Sequence, residues 1–365
     1  MTDLSQLTIT EVTIPQTLDA PDAADFHARL QVRNAIETEI LGSDALNYRA
    51  EEVLPGLQDQ RYNPTRLFLA RLDGEPVGKA AYAWPVEGGV GATMAWIEVG
   101  VLSPWRNRGI GTKLADVIEQ LAVQDGRTSL QVYMEHTAPK DGDPTIASPT
   151  GFGVLNANDP GVRFLQHRGY SLEQIERISF LDLPVAPEML AENRAKAEDA
   201  AGPDYRVIRW LDATPDDRIA DMIVLRTRMS TDMPSGGMDA VEEAWDEERI
   251  RNHDAQQLAR GRTSLTVAAE HIPSGRLAGF STLQITADHT RPVFQQDTLV
   301  LSEHRGHRLG MLLKVANIQY LQELAPDARL ITTFNAEENR FMLNVNEAVG
   351  FRPVASQGAW KKLAS

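Results

Sequence analysis

Apolar and polar positions along the chain fall into one succession of periods, and the succession occurs twice. Residues 23–41 are Ala-rich and amphipathic and predict a helix. Two strand-like runs, 66–72 and 77–84, flank Asp73-Gly74, the signal of a hairpin. A third strand follows at 95–102. Over 110–124 the period changes to that of a helix: Leu114, Val117, Ile118 and Leu121 make one apolar stripe. A strand at 130–134 comes next, then a stretch rich in Pro, Gly, Asp and Thr at 137–157 that reads as a loop. A short helix over 159–167, stopped by Gly169, and a strand at 177–183 close the first half. The second half keeps the order. It has a helix at 215–230, strands at 265–270 and 277–285 around Pro273-Ser274-Gly275, and a strand at 297–301. A helix at 309–324 carries Leu313, Ala316, Tyr320 and Leu324 on one side. A strand at 330–334, a helix at 340–348 stopped by Gly350, and a last strand holding Trp360 complete it.

Where the third strand meets the following helix, both halves carry the same phrase. Arg106-Asn107-Arg108-Gly109-Ile110-Gly111 recurs as Arg305-Gly306-His307-Arg308-Leu309-Gly310, 199 residues later. A helix start offers unpaired backbone N–H groups and the positive end of the helix dipole. Glycine lets the backbone approach a ligand and take positive φ, and arginine pairs with phosphate oxygens. The combination points to a pyrophosphate. A Gly-containing turn with solvated arginines would explain one copy, but not two in the same context. A second anchor repeats as well: Asn158 stands 11 residues before Gly169, and Asn339 stands 11 before Gly350. The stretch rich in Ala, Glu, Lys and Pro at 185–204 reads as a linker, helical in part, between domains 1–184 and 205–365.

The phrase resembles the signature of the GCN5-related N-acetyltransferase (GNAT) family: Arg or Gln, two residues, Gly, one residue, then Gly or Ala. The first copy matches fully; the second has Arg308 where the first Gly belongs. The resemblance covers nearly the whole chain as a tandem pair. It implies an α/β (α+β) fold of two tandem GNAT-type domains, each a mostly antiparallel mixed sheet flanked by helices. It also implies acetyl-CoA as co-substrate. The strand backbone near Val99, Val101 and Val300 would hold the pantetheine arm. The turn residues Arg106, Asn107, Arg108, Gly109, Ile110, Gly111 and Thr112, and Arg305, Gly306, His307, Arg308, Leu309 and Gly310, would hold the pyrophosphate. Asn158 and Asn339 match the family's cofactor-contacting Asn, a place an ordinary helix N-cap also fills.

Composition narrows the partners. A net charge of −15 argues against nucleic acid, which needs a basic surface. With no cysteine there are no disulfides, no thiolate nucleophile and no Cys-ligated zinc. No metal-ligand spacing occurs, and no metal is expected. No apolar run of about 18 residues crosses a membrane, and the first residues lack signal-peptide features, so a cytoplasmic monomer or homodimer is expected.

Acyl transfer to an amine needs a base. Glu98 and Asp297 occupy equivalent places on the strand before the phrase and are the candidates. The Tyr that the family uses as acid falls at Leu165 and Asn346. Leu165 cannot donate a proton, and Asn346 can donate only a hydrogen bond, which leaves Tyr133, Tyr170, water or no acid. The second half gathers Asp297, Thr298, His304, His307, Asn335, Asn339, Asn344 and Asn346, which favours acceptor chemistry there. Met229, Met233, Met238 and Trp245, near Pro234-Ser235-Gly236-Gly237, read as loop packing or a cover over that site. The expected activity is acetyl transfer to the amine of a small molecule or peptide. A non-catalytic acyl-CoA sensor, or a tandem transferase for a specialised acceptor like those that make mycothiol, are the alternatives.

Overall fold

The computed structural model describes residues 4–364. The N-terminal stretch read for a leader thus lies partly outside the described residues. In chain order the elements are β1 (Leu7–Val12), α1 (Ala24–Leu41), α2 (Ala50–Gln58), β2 (Thr65–Leu72), β3 (Glu75–Ala83), β4 (Met94–Val101), α3 (Ile110–Gln124), β5 (Ser129–His136), β6 (Thr145–Ala147), β7 (Val154–Asn156), α4 (Pro160–His167) and β8 (Ser171–Asp182). There follow α5 (Pro187–Ala201), β9 (Tyr205–Leu211), α6 (Ile219–Asp232), α7 (Glu247–Ala259), β10 (Arg262–His271), β11 (Arg276–Thr286), β12 (Val293–Val300), α8 (Leu309–Leu324), β13 (Leu330–Ala336), α9 (Arg340–Val349) and β14 (Arg352–Leu363).

Two compact units result, and they are not contiguous in sequence. The first comprises Met1–Glu176, Ser235–Val241 and Ala355–Ser365; the second comprises Arg177–Pro234 and Glu242–Val354. This corrects the division into 1–184, a linker at 185–204, and 205–365. The boundary falls inside β8. The supposed linker is α5, begun by Pro187 at its first turn, with Leu190, Ala197 and Ala201 buried in the second unit's cores. Its alanines favour a helix and provide a small-residue face for packing. The last strand is exchanged: Ser356–Leu363 pairs antiparallel with β5 across eight rows, from Ser356 opposite His136 to Leu363 opposite Ser129. Trp360 is fully buried in the first unit's core.

In the first unit the sheet runs β1-β2-β3-β4-β5-β14. Strand alternation sends Leu67, Leu69 and Ala81 to the face covered by α1 and α2. It sends Phe68, Ala80 and Tyr82 to the face covered by α3, where Leu114 and Ile118 are completely buried. The stretch read as a loop holds the small hairpin β6–β7, with Leu155 in the core. In the second unit β13-β12-β11-β10-β9 carry α5 and α8 on one face, α6 and α7 on the other.

One feature of both sheets shapes the site. The parallel strands β4 and β5 pair only at Met94–Trp96 with Ser129–Gln131. Beyond that point they diverge, so the later residues of β4 stay paired with β3 but have no ladder on the side facing β5. The parallel strands β12 and β13 pair over two rows only, Val293 with Ile331 and Phe294 with Thr332.

Candidate active site

The divergence in the first unit opens a cavity of about 390 Å³. Glu98, Val99, Gly100 and Val101 of β4 line one side, and Val132, Tyr133, Met134 and Glu135 of β5 the other. One end reaches Arg106, Asn107, Gly109, Gly111 and Thr112 at the start of α3; helix α1 contributes Arg33, Ile36, Glu37 and Ile40.

The turn is built by two left-handed residues, Asn107 (φ 59°) and Gly109 (φ 87°). They aim the first N–H groups of α3, which have no intrahelical partner, at the cavity. Arg106 does something other than expected. Its Nε donates to the Val101 carbonyl at 2.9 Å, and its two terminal nitrogens grip the Glu39 carboxylate at 2.7 and 2.9 Å. It braces strand, turn and first helix. Arg108 lies over the Trp105 ring, and Ile110 is buried in the core. The second turn has the same backbone, with Gly306 (φ 88°) and Arg308 (φ 53°) at the equivalent positions. Arg305 repeats the brace, bonding the Val300 carbonyl at 3.1 Å and Asp232 at 2.8 Å. Arg308 therefore alters the side chain at the turn, not its shape.

Asn158 is exposed and does not line the cavity. The N-cap of α4 is the next residue, Asp159, which accepts from the N–H groups of Gly161 and Val162 and from buried His136 at 2.9 Å. Asn339 is an N-cap, accepting from the Met342 N–H at 3.2 Å.

Glu98 and Asp297 do occupy equivalent places, and each is ion-paired to an arginine on a helix that precedes the hairpin of its unit, α1 or α6. Arg29 donates to Glu98 at 2.6 Å, and Lys79 bonds its other oxygen; Arg226 bonds Asp297. Burial pushes the Glu98 carboxyl up, but Lys79 and Arg29 outweigh it and hold the group well below the usual range. Such a carboxylate is a weak base. For Glu98 this argues against the expected role as base: it holds Lys79 and Arg29 in place, and Asp297 is likewise engaged by Arg226.

The group suited to the task is Glu37, one turn from Arg33 on α1. It is buried, and its Oε2 has no hydrogen-bond partner. Burial, then repulsion from Glu135 on β5, raise its pKa to about 7, against the pull of Arg33 and Lys79. Nothing local in the sequence marks Glu37, because only the divergence of β4 and β5 makes it part of a cavity.

The acid positions also resolve. Leu165 is core, and Tyr170 is buried with its hydroxyl bonded to Glu119 at 3.1 Å. Tyr133 lines the cavity, with burial pushing its phenol up to about 12. Asn346 is buried, donating to Asn335 at 2.7 Å and accepting from the equally buried Lys314 at 2.6 Å. It cannot reach an acceptor. Within the polar set expected in the second half, Asn335 pairs with Asn346 and His304 and His307 gather at Tyr205, whereas Thr298 bonds Ser281 and Asn344 bonds Arg340. The cover segment parts company too. Trp245 packs in the second unit, whereas Asp239 bonds Ser129 and Lys361 in the first.

Burial lowers the Lys314 pKa to about 7. The unfolded chain therefore binds more protons between about pH 7 and 10, and this lysine's penalty is largest below pH 7. Lys314→Met is expected to raise the melting temperature at pH 6 more than at pH 9. Equal shifts at both would show that the lysine is not held neutral.

No helix among the described residues is long and apolar enough to cross a membrane, and no cluster of three or more His, Cys, Asp or Glu among them could hold a metal. Residues 35–141 match the model of the acetyltransferase (GNAT) family. No curated protein sequence matches the chain. Among solved structures, a tandem GNAT protein from the clavulanic acid biosynthesis pathway superposes with a TM-score of 0.71 at 23% identity, covering 98% of this chain and 99% of that one. A GCN5-related N-acetyltransferase from Sphaerobacter thermophilus gives 0.61 at 15% identity, covering 98% and 96%. The duplicated turn, the paired divergent strands and the matched segment agree: residues 35–141 match an acetyltransferase (GNAT) domain, and the chain as a whole has the fold of a tandem GNAT protein.

Proposed function

We propose that the first unit transfers the acetyl group of acetyl-CoA to the amine of a small molecule. The observation that carries this reading is the cavity between β4 and β5, which joins the N-terminal turn of α3 to the Glu37 carboxylate, whose Oε2 has no hydrogen-bond partner. The donor set fits the co-substrate. Backbone N–H groups at the α3 turn suit a pyrophosphate, and the β5-facing edge of β4, unladdered past Trp96, suits an amide-bearing arm. The fit is close, since a Cβ on Gly111 would stand 3.4 Å from the Phe164 ring.

Glu37 removes the proton from the acceptor ammonium, and Glu135 adds negative charge that draws a cation in. The amine nitrogen then bonds the acyl carbon as the carbon–sulfur bond breaks, and the second amine proton passes to the departing sulfur. Bound acetyl-CoA supplies a thioester whose thiolate, of pKa about 8.5 for an ordinary thiol, leaves without a proton from the protein. Tyr133 stays protonated at neutral pH and donates a hydrogen bond rather than a proton. A missing family tyrosine is therefore no obstacle.

Calorimetric titration with acetyl-CoA tests this reading. The wild type is expected to bind, and Gly111→Trp to abolish binding in the first unit, because the indole fills the floor beside Phe164. A wild type that gives neither heat nor thermal shift would remove the reading. A second equivalent surviving the substitution would assign cofactor binding to the second turn also.

A further inference from the structure

The two units differ most on the sheet face under the helices that precede the hairpin. Matching the bulge at Ala70/Arg71 to that at Ala269/Glu270 aligns Leu67 with Thr266, Ala81 with Thr282 and Ala83 with Gln284. An aliphatic floor in the first unit is thus polar in the second, where Thr266 and Thr282 bond each other at 3.0 Å. Beside them Arg262, opposite Thr286, is nine-tenths buried. Its Nη1 donates to Gln284 at 3.0 Å, and the guanidinium lies over Phe294 at 5.0 Å. No carboxylate among the described residues pairs with it, and its Nε has no hydrogen-bond partner. The Ser264 hydroxyl, buried two residues along the same face, is also unpartnered. So are the side-chain oxygens of Gln256 and Gln257, on the last turn of α7, which a two-residue turn joins to β10.

An unpaired buried guanidinium is costly, and so is each unmet hydroxyl or amide. Several together are what a site for a charged ligand leaves behind. Gln284 occupies Nη1, which leaves the Nε edge of the fork, the edge suited to a carboxylate. The two glutamine oxygens would accept from an N–H or O–H of the same molecule. We propose that the second unit binds a small carboxylate, received by Arg262 and Ser264 where α7 turns into β10. This site is separate from the cavity of the first unit and does not depend on acyl transfer there.

The test is thermal denaturation and calorimetry of the full-length protein with L-glutamate, succinate and inorganic phosphate, in chloride buffer. A saturable rise in melting temperature with glutamate or succinate is expected, undiminished in Gly111→Trp. Arg262→Met should lose the rise, while melting at or above the wild type without ligand, because a buried unpaired charge is gone. Ser264→Ala, a milder change, should weaken binding about five-fold, and serves if Arg262→Met does not fold. Indifference of the wild type to both carboxylates would overturn the proposal, as would a shift that persists in Arg262→Met. A response to phosphate alone would overturn the carboxylate assignment.

Discussion

Glu37→Gln is expected to lower kcat by about 10² to 10⁴, the usual worth of a general base, once a turnover assay with an accepted amine is in hand. In the wild type, kcat/KM should rise with pH through about 7, where Glu37 ionises against burial and Glu135, and the variant should lose that rise. The same substitution should stabilise the fold. A carboxyl raised from 4.5 to about 7 is ionised in the unfolded chain before the folded one, so stability is lost as pH climbs between those values and stays lost above. Up to about 3 kcal/mol is involved at pH 8. Glu37→Gln should therefore melt higher than wild type at pH 8 and nearly equal to it at pH 4. A variant that is slow and also less stable at pH 8 would mark Glu37 as a structural residue. Glu98→Gln offers the contrast: it breaks the pairs with Arg29 and Lys79 and should destabilise the fold, lowering the pH midpoint by removing a negative charge near Glu37 but keeping the rise.

The second large effect lies at the far end of the chain. Trp360→Ala should cost about 3–5 kcal/mol, the range for a large aromatic removed from a core, and should inactivate the first unit at moderate temperature. Trp360 has no exposed surface and sits among Leu114, Ile118 and Val132. Removing residues 356–365 should go further, since it leaves the edge of β5 unpaired along its length. Limited proteolysis or amide exchange of peptides from β4 and β5 would show the loss. Unchanged protection there, with loss confined to the second unit, would contradict the placement of the strand.

Much of this was legible in the sequence because it depends on local chemistry. The two turns, the helices behind them and the hairpins follow from period and from glycine, and the structure keeps even the left-handed pair where Arg308 replaces glycine. Glu98 and Asp297 were recognisable as equivalent positions. Their roles were not, because Arg29 and Arg226 stand about 70 residues upstream and no spacing rule joins them. Glu37 reads as one more polar position on an amphipathic helix until a neighbouring pair of strands separates. The exchange of the last strand was equally hidden. An alternating pattern says that a segment will pair, and which face it buries, but not which edge will receive it.

That exchanged strand bears on synthesis. A first unit made of contiguous residues would be complete soon after residue 176 left the ribosome. Here its sheet awaits a strand encoded about 180 residues later. At about 5–20 residues per second, the unfinished edge of β5 stands open for roughly ten to forty seconds in every molecule made. During that interval it is a template for any strand that comes by, including the same segment of a neighbouring chain on the same message. Yield in the cell should therefore depend on chaperones that shield an open edge, and slowing translation of the second unit should lower it.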